Sequence, residues 1–330
     1  MKKRMLALLQ AFIMVTAVAA CGAPETEAEE EAVPAPEIVN MATGDKTGTY
    51  YAFGSLLSGY MSDASEKNVH VISTAGSAAN IHSIDEGTCL LGLAQSDVMA
   101  HAWEGTLDFK DTGAVRSFRA VGGLYEEAVQ IVTLDESIKT VADLEGKMVS
   151  IGAPDSGVYQ NALDILDAYG MAEEDIEAAY LTFAESVDAM KKGKIDAAFI
   201  VSGEPTNAVA DLAEEADVYL VSIEGKELDT LLERCPYYKK HVIFGNTYRG
   251  VNTDVTTISV QASMVVSADA GEEDVYNMTA GIFEHTEEIS AILIRGIDMS
   301  VENATTGISV PFHPGAAKYF KEKGFTVPTE

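Results

Sequence analysis

Four clusters of small and polar residues have the types and spacing to do chemistry: Thr47-Gly48-Thr49-Tyr50, Gly76-Ser77-Ala78-Ala79-Asn80, Asp155-Ser156-Gly157-Val158-Tyr159 and Ser202-Gly203-Glu204-Pro205. In each, glycine lets the backbone come close to another group, and Ser or Thr adds a hydroxyl. Each falls where a short apolar run ends and a helical spacing begins. The first N–H groups of a helix lack intrahelical partners and carry a partial positive charge. A site built from such ends suits a carboxylate even in an acidic protein, because local dipoles dominate at contact range. The same residue types are also ordinary helix caps, so a single cluster reads either way. Clusters contributed by two lobes would make a shared cleft. Tyr125 and Tyr248 are either aromatic walls of such a cleft or packing between lobes. Glu126 and Glu127 either meet an ammonium or face solvent, and at least one is expected to face solvent.

Other chemistries leave no trace. There is no Gly-x-Gly-x-x-Gly, and the Gly-x-x-x-x-Gly pairs starting at Gly54, Gly87, Gly152 and Gly245 are not followed by Lys. A Gly-x-Ser-x-Gly nucleophile elbow is absent. His70, His82, His101, His241, His285 and His313 show no metal-ligand spacing. With 52 acidic residues, carboxylate pairs fall at any spacing and say little about acid–base catalysis. These absences do not exclude an enzyme, because catalytic groups can be distant in sequence; no cofactor and no metal are expected.

The elements that must position the clusters alternate between short apolar runs and helical periods. Strands are expected over residues 37–42, 69–73, 89–94, 129–133, 148–151, 195–201 and 218–223. Helices are expected over 50–61, 78–86, 157–169, 186–192 and from 206 to about 214. Gly170 is the expected stop of the 157–169 helix. The β-rich run 256–266 reads as a long strand passing between lobes, and 272–293 reads as one helix. Such alternation implies an α/β fold with a mostly parallel sheet. The β–loop–α plan occurs twice, which gives two lobes: residues 38–124 plus 255–330, and residues 125–254.

The chain has 330 residues, 47% of them apolar, enough for a sizeable core. Its 52 acidic against 22 basic residues leave a net charge of −30, which repels phosphate backbones and argues against nucleic acid. Residues 1–20 read as a signal peptide: Lys2, Lys3 and Arg4, then an uncharged stretch too short to span a bilayer. Val18-Ala19-Ala20 before Cys21 resembles a lipobox, in which the cysteine is acylated and becomes the mature N-terminus. Residues 21–37 follow as an acidic, proline-rich tether with no large apolar side chain. The protein is therefore expected outside the cytoplasm, held on a membrane face by acyl chains. Cys89 reads as a small buried hydrophobe. A bridge to Cys235 is open to an exported chain, but the two fall in different lobes and are expected unpaired.

A set of segments, in order across residues 38–322, resembles the TAXI family of solute-binding proteins, the extracytoplasmic subunits of tripartite ATP-independent periplasmic (TRAP) transporters. They are Thr43-Gly44 with Gly48-Thr49-Tyr50-Tyr51, Thr74 to Asn80, Gly92-Leu93-Ala94-Gln95-Ser96-Asp97, Leu124-Tyr125 and Ile151 to Gly157. Further on come Gly193 to Phe199, Gly203 with Pro205, Tyr248 with Gly250, and Val310 to Ala316. The resemblance implies a two-lobed type II periplasmic-binding-protein fold with a ligand cleft between lobes. It also implies small carboxylate ligands such as glutamate- or glutamine-like amino acids and 2-oxoglutarate-like acids. By match, Thr49, Tyr50, Ser77, Asn80, Gln95, Ser96, Tyr125, Ser156, Gly157, Gly203 and Tyr248 are candidate contacts. Arg249 stands where the family pattern leads one to expect proline, and either touches an anionic ligand or points to solvent. His313 reads as structural packing. The expected function is capture of a small anionic or zwitterionic solute and its delivery to membrane subunits of an ion-coupled TRAP transporter. An exported α/β hydrolase and a surface adhesion or immunogenic protein are the alternatives.

If Cys21 carries the lipid, Cys21→Ser should move the protein from the membrane pellet to the soluble fraction. Unchanged sedimentation of the variant with membranes would point to a different anchor.

Overall fold

A computed structural model describes residues 37–293 and 298–330. The expected signal peptide, the acylation at Cys21 and the tether, except its exposed last residue Glu37, lie outside the described residues. The first units are β1 (Ile38–Ala42), α1 (Thr49–Ser65), β2 (Asn68–Ile72), α2 (Ser77–Asp85), β3 (Leu91–Gln95) and α3 (Ser96–Glu104). The 16-residue β4 (Phe118–Thr133) follows. Next come β5 (Met148–Ser150), α4 (Gly157–Ala168), β6 (Glu177–Ala179), α5 (Phe183–Lys191), β7 (Ala197–Ser202), α6 (Asn207–Glu215) and β8 (Tyr219–Val221). Helix α7 (Gly225–Arg234) and β9 (Lys239–Ile243) lead into the 13-residue β10 (Val255–Ser267). The last described helices are α8 (Glu272–Phe283), α9 (Thr286–Leu293), α10 (Val301–Thr305) and α11 (Pro314–Glu322). No described helix is long and apolar enough to cross a membrane.

The fold is α/β and two-lobed, with helices on both faces of the sheet. The strands form one sheet in the order β2-β1-β3-β10-β4-β7-β5-β6, with β8 added on β4 and β9 on β10. The sheet is mixed, which corrects the expectation of a mostly parallel one. The pairs β1–β2, β1–β3, β5–β6 and β5–β7 are parallel. In the middle, β10 runs antiparallel to β3, β4 and β9, and β4 runs antiparallel to β7 and β8. Two long strands that return in opposite directions force this arrangement, whatever the βα units do at the flanks.

Burial follows from side-chain alternation. On β4, Val129 and Ile131 enter one core with α4 and α7, while Ala128 and Val132 enter the core under α5 and α6. Those two cores draw on residues 128–260. A third core draws on residues 39–125 and 262–320. In α1, Phe53, Leu57 and Met61 stack at helical spacing and are fully buried. Gly54 on the same helix allows the contact with β1: a Cβ there would lie 2.6 Å from Thr43 Cγ2.

Several ends follow local chemistry. Ser156 caps α4 by accepting from the Tyr159 N–H at 3.4 Å, and Gly170 beyond its end has φ 71°. His313 caps α11, with Pro314 at the first helical position. The helix expected over 272–293 is broken at Glu284 and His285. The His285 ring takes the Gly281 carbonyl at 3.0 Å, and its backbone N–H turns to Ile282 instead. Helix α7 and strand β9 were not expected. The first carries Leu228, Leu231 and Leu232 at helical spacing but is short and otherwise charged, and the second, KKHVI, buries only its last residue Ile243. Cys89 and Cys235 are both buried free thiols.

Candidate functional site

The carboxyl ends of the strands converge on one cleft. Gly44, Asp45, Gly48, Thr49 and Tyr50 come from the β1–α1 loop and the start of α1, and Ala75, Gly76 and Ser77 from the start of α2. Gln95 ends β3, and Glu127 stands on β4. Across from them lie Ala153, Ser156, Gly157 and Val158 before and at the start of α4. Leu181, Thr182 and Phe183 precede and begin α5, and Val201 and Ser202 end β7. The space is narrow, about 50 Å³, which is room for roughly four waters or a compact solute.

The two sides touch. The Thr49 N–H donates to Ser202 Oγ at 3.1 Å, Ser202 Oγ donates to Thr49 Oγ1 at 2.8 Å, and Thr49 Oγ1 donates to the Gly203 carbonyl at 3.3 Å. The Ala79 N–H donates to the Asp155 carbonyl at 3.0 Å. Gly76 lies against Ser156, and its φ of 134° is one that side chains rarely adopt. A Cβ on Gly157 would fall 1.9 Å from Gln95 Oε1 and 3.2 Å from Ser77 Oγ. Glycine at 157 is therefore what lets the two sides meet.

The cleft's electrostatics have two poles. The rim holds the first turns of α1, α2 and α4. Neither α1 nor α2 is capped by its own N-cap side chain; their Thr49 and Ala79 N–H groups go to Ser202 and Asp155 on the other side, and the positive ends of their dipoles lie at the cleft. The floor holds Glu127, which is buried and accepts from the Tyr50 hydroxyl at 2.9 Å. Burial pushes the Glu127 carboxyl well above the usual carboxylate range, and the carboxyls of Asp97 and Glu126 push the same way. Gln95 Oε1 beside it is buried without a hydrogen-bond partner. Among the described lining residues none is cationic. Asp45, the other lining acid, is occupied locally by the Thr47 N–H at 2.7 Å and the Thr47 hydroxyl.

Of the residues singled out from sequence, Thr49, Tyr50, Ser77, Gln95, Ser156 and Gly157 line the cleft. Gly203 lies just behind it, its carbonyl taken by Thr49 and by Thr206 at 2.8 Å. Four others are not brought to its lining. Asn80 donates to the Thr43 and Leu93 carbonyls, both at 2.6 Å, and so ties a loop to β3. Ser96 is buried in the first turn of α3 and is not a lining residue. Tyr125 packs in the first core with its ring 4.9 Å from that of Phe53, and its buried hydroxyl has no partner. The Tyr248 hydroxyl donates to Gln130 and accepts from the Thr206 N–H at 2.8 Å, inside the core under α5 and α6. Arg249 points to solvent, where it donates to the Ala213 carbonyl at 2.7 Å and lies 3.6 Å from Glu214. His313 is buried packing: Nδ1 accepts from the Gly315 N–H at 3.2 Å, and Nε2 faces the Ala270 carbonyl at 3.1 Å.

Glu127 is the residue that the sequence underweighted. Adjacent strand residues point to opposite faces, so Glu126 and Glu127 cannot both be outside. Glu126 is the outer one: it pairs with Lys239 and accepts from Ser259 Oγ at 2.9 Å.

A second buried network spans the two sides behind the cleft. Asn161 Nδ2 on α4 donates to Asp97 Oδ2 on α3 at 2.8 Å and to the Tyr238 hydroxyl at 2.9 Å. Tyr238 in turn donates to Asp164 at 2.8 Å. Burial pushes the Asp97 carboxyl up to about 7, with nearby Asp164 adding to the rise.

A two-lobed α/β protein with a small polar cleft at the strand ends is a solute-binding protein in form. Residues 41–324 match the model of the NMT1-like family, and the chain belongs to that family, one of periplasmic solute-binding proteins that work outside the cytoplasm. A solved protein from Bordetella bronchiseptica RB50 is similar at 17% identity over 78% of this chain and 76% of that one, with a TM-score of 0.53, which speaks to the fold. The periplasmic aliphatic sulphonate binding protein SsuA from Escherichia coli matches at 17% identity over 87% and 83%, TM-score 0.45. The GluR0 ligand-binding core from Nostoc punctiforme, in complex with L-glutamate, matches at 13% over 78% and 99%, TM-score 0.46.

Two predictions follow from this geometry. Gly157→Val should leave the protein folded but hold the two sides apart, with solute affinity falling about 100-fold. Calorimetry beside urea unfolding reads both, and unchanged affinity would mean that the approach at Gly157 has no part in binding. Asp97 holds its proton more tightly folded than unfolded. Its contribution to stability is complete below the unfolded value near 4 and is lost as pH rises to about 7. Between pH 4.5 and 7 the wild type should therefore lose on the order of 2–3 kcal/mol more stability than Asp97→Asn. Parallel curves for the two proteins would contradict this.

Proposed function

We propose that this protein is an extracytoplasmic receptor that captures a small carboxylate, a glutamate- or glutamine-like amino acid or a 2-oxoglutarate-like acid, and hands it to a TRAP-type membrane transporter. One observation carries the reading: first turns of helices from opposite sides, α1 and α2 against α4, meet at one narrow cleft that no cationic side chain among the described residues lines. In such a site a carboxylate is held by N–H groups and dipoles. The proposed contacts are Thr49, Tyr50, Ser77, Gln95, Ser156 and Gly157. The lobes are residues 38–124 plus 255–330 and residues 125–254, so that the ligand lies between them. The TRAP assignment rests on the ordered motifs from Thr43 to Ala316, and attachment to the membrane on Cys21.

Amino acids, dicarboxylates and 2-oxo acids are screened by thermal shift on the purified chain. One of them should raise the melting temperature saturably. At 100 times its Kd it should stabilise the fold by about 2.7 kcal/mol. Chemical turnover of the bound acid would replace this reading with the hydrolase one.

A further inference from the structure

The cleft floor is a place for hydrogen-bond donors that the protein itself does not supply. Gln95 Oε1 is buried, adjoins the cleft and has no partner among the described residues. Glu127 is buried beside it; the Tyr50 hydroxyl donates to its Oε2 and the Gln95 side-chain amide also bonds to its carboxyl, so Gln95 Oε1 is the acceptor left over. An acceptor-rich, desolvated floor with no cation among the described lining residues is costly unless the occupant brings N–H donors, and a charge-assisted set is the strongest way to meet it.

We propose that Gln95, Glu127 and the Tyr50 hydroxyl form an amine site, that the solute is therefore a zwitterion with its ammonium on this floor and its carboxylate toward the helix ends, and that its binding expels a proton from Glu127. The inference rests on the carboxylate reading above and narrows it. The balance is simple. The Glu127 O–H bond breaks, its proton goes to solvent, and the resulting carboxylate pairs with the ammonium, which keeps its own three protons.

The groups around Glu127 favour its protonated form while the site is empty. Tyr50 on α1 and Tyr125 on β4 are neutral, held so by burial. Asp97 on α3 and Glu126 on β4 are acidic, and both raise the Glu127 carboxyl. Asp45 is the other acid lining the cleft. Lys239 on β9 is paired with Glu126 on the outer face of the strand. An arriving ammonium is the one cation in contact, so affinity for a zwitterion rises with pH until Glu127 ionises without help. For an acid lacking the amine, Glu127 must stay protonated, and affinity falls over the same rise.

The test uses the full chain and calorimetry at pH 7 in two buffers of different ionisation enthalpy. The probes are amino acids, L-glutamate and L-glutamine among them, their 2-oxo counterparts with glutarate, and n-butylamine. The best amino acid should release close to one proton and bind about 10- to 100-fold more tightly than its 2-oxo counterpart. Glu127→Gln should lose that margin and the proton release while still binding the 2-oxo acid, and its melting temperature should match or exceed that of the wild type. Equal binding of amino and 2-oxo acids by the wild type, or no proton release, would overturn the amine site and leave the carboxylate reading intact. Binding of butylamine as tightly as any amino acid would overturn the carboxylate reading and keep the amine site. If none of the probes binds, both fall.

Discussion

The antiparallel pairing of β4 with β10 is the contact on which the remainder hangs. Nine residues of each strand are in register, from Ser259 opposite Ala128 to Ser267 opposite Phe118, with irregularities at Ala262/Ser263 and Met264/Val265. Each strand then serves both halves of the molecule. Beyond the pairing, β4 carries β7 and β8 at its end, while β10 carries β9 at its start and β3 toward its end. Glycines make the close packing possible: a Cβ on Gly123 would meet Gln261 Nε2 at 2.3 Å, and one on Gly122 would meet the Phe283 ring at 2.9 Å. The pairing also sets which face of β4 looks into the cleft, and so puts Glu127 on its floor and Glu126 on the outside.

The electrostatics of the cleft run against those of the whole molecule. A net charge of −30 disfavours an approaching anion at long range, yet surface charges are screened within about 10 Å at ordinary salt. At contact the nearest groups decide. Those groups are peptide N–H donors at the rim and a carboxyl that burial keeps protonated at the floor. The acidic surface and the capture of a carboxylate are thus compatible. Polar contacts also bring the two sides together: Thr49 with Ser202 and Gly203, Ala79 with Asp155, and Asp97 with Asn161. Such bonds are individually modest and exchange readily with water.

The sequence by itself determined the local grammar. Apolar runs ending in Gly, Ser and Thr clusters marked the strand-to-helix turns, because helix ends need caps and close turns need glycine. Thr49, Ser77, Ser156 and Gly157 were legible for that reason, as were the β-rich run that became β10 and the glycine stop after α4. Tertiary structure decided the rest. The full length of β4, with Arg119, two glycines and two glutamates in its first part, is set by its partner strand and not by its own pattern. Asn80, Tyr125 and Tyr248 have the chemistry of ligand contacts, but neighbours distant in sequence turn their polar ends or rings inward. Glu127 shows the reverse. A glutamate beside a glutamate on a strand declares that one must face inward, but which one, and whether it meets core or cleft, depends on register with a strand more than 120 residues away. Residue type and local period are properties of neighbours in the chain. Burial, and with it the protonation of a carboxyl, is a property of neighbours in space.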